Sequence, residues 1–392
     1  MDKRQFFTRR QILKTAGLVL GGTALASFER LLGAPTAMAQ DPSPTRAYYL
    51  PLVSLAPTPS PPPPPSVVHM HSLSATTWSG QADYWNYVNQ NVVNAMVDAG
   101  LQNLTSTATT QDVWRKILPN YLAGQGIAIK VNFNNSGSGV LDAIIQTVNA
   151  LVRGMKLIGV REQDIWVYDA IKIIPDRFIG GCLYPGVRFY DDGTHAAAGF
   201  ASDDPNAYIH FSPPSGTPMP AATKLNDVLI RATHVIDIPL LKGHIGGAGV
   251  TLGFKNHLGS TNNPVAFHNN AFPHRGYWRT DWNPLVDLYA NPHIRNKTIL
   301  TMGDGLFAGN TSDSPPLTMV TFGNKTPNSL FCATDPVAID SVMHDFLAAE
   351  WTINSGANNY LRLANLAGLG FFERGNPWGS GYTRINYRRV EM

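Results

Sequence analysis

From about Val67 onward the apolar positions switch repeatedly between a strand-like and a helix-like period, which predicts alternating β and α elements. Val88, Val92, Met96 and Leu101 keep near-helical spacing. IAIKVNF at 127–133 reads as a buried strand because it is rich in β-branched and aromatic residues. Val140, Ile144, Val148 and Val152 then share one helical stripe, and DIWVYDA at 164–170 is the next strand. The order returns with HVIDIPLL at 234–241, KTILTMG at 297–303 and SLFCATD at 329–335, the last leading into PVAIDSVMHDFLAAE. Such alternation predicts an α/β fold with a largely parallel central sheet flanked by helices. Between Tyr184 and Pro220 the chain is rich in Gly, Pro and Asp, which predicts a loop-rich excursion over 184–220. No repeat of fixed period is present.

Ahead of this body lie two segments of different character. Thr8-Arg9-Arg10-Gln11-Ile12-Leu13-Lys14 precedes an apolar run from Ala16 to Phe28 and then Ala37-Met38-Ala39. A basic region, a short apolar region and a small-x-small site make residues 1–39 a signal peptide, and the paired arginines point to the twin-arginine export machinery. Ile12 stands where Phe is more usual for that route. The apolar run is shorter than the roughly 20 residues of a membrane span, so membrane contact is expected only through this segment if it stays uncleaved. Residues 40–66, with Pro61 to Pro65 in succession, read as a disordered proline-rich tether of polyproline II character. The body is then a single α/β domain over 67–392, expected in the periplasm, at the cell surface or outside the cell.

Composition narrows the classes of function. A net charge of +3, from 30 Lys and Arg against 27 Asp and Glu, with no long basic run after the first residues, gives nucleic-acid binding no support, so no nucleic acid is expected as a partner. Cys182 and Cys332 match no zinc or CxxC spacing, so no cysteine-ligated iron–sulfur cluster is expected. Whether the two thiols meet is left open by the sequence. Five histidines between 244 and 293 match no zinc-helix motif, yet a divalent metal held by distant loops stays open.

The densest chemistry is LLKGHIGGAGVTLGFKNHLGS at 240–260. HVIDIPLL is the strand, KGHIGGAG the loop leaving it, and VTLGFKNHL the start of a helix weakened by Gly253. Ligands of α/β sheets bind beyond the carboxyl ends of the strands. Lys242 and His244 alternate about Gly243, while Thr251 and Lys255 are four apart on one helix face. Lys242, Lys255, Asn256, Thr251 and the loop amides around Gly247 and Gly249 therefore suit a small anionic ligand, a phosphate or carboxylate. The run GAGVTLG lacks the following strand with its acidic end that a dinucleotide site needs, and Gly253-Phe254-Lys255-Asn256 is not a Walker A ending. The plainer reading is a glycine-rich turn with solvated lysines.

Three other stretches carry matching groups. Lys130 lies inside an apolar strand with Asn132 and Asn134 on the same face. Asp304 in MGDGL is expected at a strand end, as a general base or a plain Asp-Gly turn. Asp335 before Pro336 suits a helix cap, whereas Asp340 and His344, four apart, are expected to face each other as an orienting pair.

Taken together, LLKGHIGGAGVTLGFKNHLGS, AIKVNFN, MGDGLF, ATDPVAIDSVM and the late LANLAGLGFFERG resemble the domain-of-unknown-function family 362, with a likeness over most of 67–375. By that resemblance Lys130, Lys242, His244, Lys255, Asn256, Asp304, Asp335 and Asp340 match the family's motif residues. Some relatives carry ferredoxin-like cysteine motifs, which this sequence lacks. The resulting expectation is an exported enzyme acting on a small anionic metabolite, with His244, Asp304, Lys130 and Asp340 as the catalytic set. The alternative is a cell-envelope protein that binds an anion or a metal without turnover.

Overall fold

A computed structural model of the chain describes residues 63–134, 139–244, 248–267, 279–353 and 356–392. The segments expected to be an export signal and, for the most part, the tether, together with Gly247, His268 and His274, lie outside the described residues.

Among the described residues, nine strands form one mixed sheet: β1 (Ser66–His71), β2 (Ile127–Lys130), β3 (Ile165–Tyr168), β4 (Arg188–Tyr190), β5 (His234–Asp237), β6 (Leu240–Lys242), β7 (Thr298–Gly309), β8 (Ser329–Ala333) and β9 (Asn386–Glu391). Their order is β4-β3-β2-β5-β7-β8-β1-β9, with β6 also paired to β7. Every pairing is parallel except those that β8 makes with β7 and β1. The architecture is α/β with a mostly parallel sheet and helices around it, as the alternating periods predict.

Successive strand residues point to opposite faces, and the cores follow that rule. Ile127 and Ile129 pack with Val93, Met96, Val148 and Leu151 from the helices Gln90–Thr105 and Ile145–Lys156. Ala128, between them, faces the other core, which holds Ile339, Val342 and Phe346 of the helix Pro336–Glu350. Asp335 caps that helix, accepting from Val337 and Ala338 N–H at 2.9 and 2.8 Å.

Three departures from the sequence reading bear on the site. HVIDIPLL is two short strands rather than one, because Pro239 has no N–H to continue the ladder; its carbonyl accepts from Asp304 N–H at 2.7 Å. The expected helix at VTLGFKNHL is a single turn, Gly253–Asn256, followed by a 3-10 turn His257–Ser260. The strand at KTILTMG runs on to Gly309, so Asp304 sits in its middle and not at its end. The 184–220 excursion is mostly irregular, with β4 and a 3-10 turn at Pro205–Ala207 as its regular elements.

Candidate functional site

The register of β2 with its neighbours explains where the site forms. Lys130, the last residue of β2, lies opposite Tyr168 of β3 on one side and Asp237 of β5 on the other. Three parallel strands therefore finish level, which sets Lys130 and Asp237, the last residues of β2 and β5, beside Asp169, the residue that follows β3. Lys130 Nζ is 3.3 Å from Asp169 Oδ2, which also accepts from Phe133 N–H at 3.0 Å. Lys130 further donates to the Val131 carbonyl and to Asn256 Oδ1, the latter at 3.3 Å.

Asn256 is the hub of this floor. Its Oδ1 accepts from Lys130 and from Asn132 Nδ2 at 3.0 Å, while its Nδ2 donates to Asp237 Oδ1 at 2.6 Å. Three of the amide's four hydrogen-bonding directions are thereby assigned, at both its oxygen and its nitrogen, which fixes its orientation. Beneath the same turn, Asp340 accepts from Gly253 and Phe254 N–H at 2.9 and 3.1 Å. Burial raises the Asp237 carboxyl to about 8 and Asp340 to about 7, since neither reaches water to solvate its charge. A methyl on Gly253 would lie 3.0 Å from an oxygen of each, so the two carboxyls converge on one point.

Above the floor is a cavity of about 390 Å³. Lys130, Lys172, Lys255, His244, Thr251, Asp169, four asparagines (Asn132, Asn134, Asn256, Asn262), Gly259 and three apolar residues, Ile171, Leu258 and Pro264, line it. Its roof loop is closed as a hairpin: Gly243 bridges Val250, and Thr251 N–H donates to the Lys242 carbonyl at 2.8 Å. Gly249 sits at φ +74°, a conformation that suits glycine, and its carbonyl accepts from His244 N–H at 2.9 Å. On the β3 side, Ala170 N–H donates to the Gly259 carbonyl at 2.8 Å, drawing the 257–260 turn against Asp169.

Of the residues singled out from sequence, Lys130, His244, Thr251, Lys255 and Asn256 meet at this cavity, with Asn132 and Asn134 beside them. Gly249 shapes the loop that carries His244. Asp340 supports the Lys255 turn from below without lining the cavity. Its expected partnership with His344 does not form: His344 lies 3.9 Å from Asp345 instead, while Asp340 is committed to backbone amides. Lys242 does not line the cavity either; its ammonium is buried and donates to the Leu141 carbonyl at 2.7 Å, with burial lowering it to about 8. Asp304 is elsewhere on the sheet, accepting from Thr147 Oγ1 at 2.7 Å, and burial raises it to about 6.

Asp169 and Asp237 were missed in the sequence, although each is an acid ending an apolar strand run, DIWVYDA and HVID. Lys172 and Asn262 were missed because both stand in loops without a pattern. Among the described residues, no group of three or more His, Cys, Asp or Glu side chains is placed to hold a metal ion. Cys182 and Cys332 are both free thiols, half-buried and buried respectively.

Electrostatically the cavity combines ammonium groups with a single carboxylate that one of them already pairs. Lys255 is held well below the ordinary lysine range by burial and by the neighbouring Lys242 charge. The chemistry of such a set is suited to an anion, with amine and imidazole groups nearby.

No curated protein matches this chain. The model of the family described as Domain of unknown function (DUF362) matches residues 127–345, a span that holds Lys130, Asp169, Asp237, His244, Lys255 and Asp340. That match covers more than half of the chain, and the protein belongs to the DUF362 family.

Proposed function

We propose that the protein binds a small anionic metabolite, a phosphate or carboxylate, in the cavity at the ends of β2, β3 and β5, and acts on it there as an enzyme. One observation carries this reading: Lys130, Lys172 and Lys255 converge with His244 on a cavity whose one acid, Asp169, is already paired with Lys130. An anion entering meets the Lys172 charge and polar side chains in a half-enclosed space, where both count for more than in bulk water. The volume, about 390 Å³, suits a compact metabolite rather than a dinucleotide. His244, on the roof loop, is the group placed to carry a proton.

Calorimetric titration of the full chain with inorganic phosphate and with a series of small mono- and dicarboxylates tests the reading. The expected result is one saturable site, weakened about tenfold by Lys172→Ala, as loss of one charge-assisted hydrogen bond implies. Failure of every anion to bind would remove the proposal. Binding without turnover of any of them would leave a capture protein.

The paired Arg9 and Arg10 ahead of a short apolar run support export by the twin-arginine route as part of the same proposal. Among the described residues, no helix is long and apolar enough to cross a membrane. A reporter fused behind residues 1–39 should leave the cytoplasm, and Arg9→Lys with Arg10→Lys should hold it back; export unaffected by that change would refute the route.

A further inference from the structure

We infer that Lys255 is a nucleophile and that the ligand is a small carbonyl-bearing carboxylate, of the 2-oxo acid class, captured as an imine on the Lys255 side chain. The inference rests on the anion-site reading and gives it a substrate class.

The fold places Lys255 for this role. The hairpin that joins Gly243 to Val250 ends at Thr251, and the single turn Gly253–Asn256 then carries Lys255 to the cavity wall. Lys255 is 6% exposed, and Lys242, whose chain pairs with Thr251, is fully buried on the same hairpin. Lys242 is anchored by the Leu141 carbonyl, so its charge stays near Lys255. An amine attacks a carbonyl only when neutral, and a second cation beside a buried lysine is one recognised way to keep it so. Burial first, and the Lys242 charge second, act in that direction on Lys255, against the smaller opposite pull of the Asp313 carboxylate.

The other two cavity lysines are placed for different work. Lys130 is committed to Asp169, the Val131 carbonyl and Asn256. Lys172 stands half-buried at the rim, where it suits the carboxylate of a ligand whose carbonyl points inward.

The chemistry balances without a co-reactant. The Lys255 Nζ lone pair adds to the carbonyl carbon, forming the C–N bond as the π pair moves to oxygen. Proton transfer from nitrogen to oxygen, for which His244 shares the cavity, gives a carbinolamine. Loss of that oxygen as water leaves the imine, so amine plus ketone yields imine plus water, with no net oxidation or reduction.

Borohydride reduction of the full chain in the presence of pyruvate, followed by intact-mass and peptide mapping, tests the inference. The expected result is one reduced adduct on the peptide holding Lys255, absent from Lys255→Arg protein that melts cooperatively. In Lys242→Met the pH at which trapping reaches half its maximum should move upward, since one opposing charge is gone. An adduct on Lys130 or Lys172, or adducts scattered over surface lysines as in the denatured chain, would overturn the assignment. No adduct while phosphate or lactate binds by calorimetry would overturn the imine and leave the anion site standing. No adduct and no anion binding would remove both. Because the map is made on the unaltered protein, the result stands even if a variant does not fold.

Discussion

Lys130 and Asp169, at the ends of adjacent parallel strands, form an ion pair of 3.3 Å in which both side chains are all but closed to water. Removing one partner of such a pair leaves the other charged and unsolvated. Lys130→Ala is therefore expected to cost about 3–5 kcal/mol of stability. Lys130→Met with Asp169→Leu should cost much less, as the stranded charge is gone. Denaturant unfolding of the single and double variants, read as a cycle, checks this.

Gly259 is required by the same pair. A methyl there would stand 2.6 Å from Asp169 Oδ1 and 2.6 Å from Lys130 Nζ. Gly259→Ala should lower stability by about 1–3 kcal/mol through overpacking and weaken the proposed anion binding as the floor shifts. Gly180→Ala, where the added carbon meets nothing within 4 Å, serves as the control and should be near neutral. Equal melting temperatures for the two variants would count against the close approach.

Asp237 and Asp340 set a pH dependence with a definite sign. Burial raises both, to about 8 and about 7, above an unfolded carboxyl near 3.9. The native state then holds more protons than the unfolded chain, so these groups make stability fall as pH rises from roughly 4 through 8. Lys130 of β2 opposes the rise at Asp237, and the mutual repulsion of Asp237 and Asp340 adds to it. Asp237→Asn should keep the acceptor for Asn256 while flattening that decline. Urea unfolding across the window reads the slope, and an unchanged slope in the variant would show that Asp237 is not its source.

The two thiols should react in a fixed order. Cys332 is fully buried in β8, and burial also raises its thiol, whereas Cys182 is half-buried beside the Tyr184 carbonyl. Labelling of the native protein should modify Cys182 alone, with Cys332 reacting only on unfolding. Mass spectrometry after timed labelling distinguishes this from simultaneous reaction.

How much of this could be read in advance divides along physical lines. Local periodicity was enough for the strands at 127, 165, 234, 298 and 329, because each buries β-branched residues over a short run. The grouping of Lys130, His244, Lys255 and Asn256 was also legible, since polar residues at strand ends must gather beyond the sheet. Asp237 was hidden because HVIDIPLL looks continuous, and only the Pro239 break shows that a strand stops at the acid. Asp304 misled for the opposite reason: its flanking glycines suggested a turn, but Gly303 and Gly305 lie in β7, where side chains would meet Met343 and Phe331. That Lys242 stays out of the cavity lining depends on β6 lying beside β7 and beyond β5, an offset that no local pattern encodes.

The place of β1 has a consequence for how the molecule comes into being. Ser66–His71 lies between Ser329–Ala333 and Asn386–Glu391, antiparallel to the first and parallel to the second. His69 bonds Ser329 and Tyr387, and His71 bonds Glu391, so its side chains also reach both neighbours. On a ribosome, the earliest strand therefore emerges hundreds of residues before its partners exist. The β2, β3 and β5 group that carries the cavity floor meets its own neighbours sooner. The far edge of the sheet, where β9 pairs with β1, can close only once synthesis has passed residue 391.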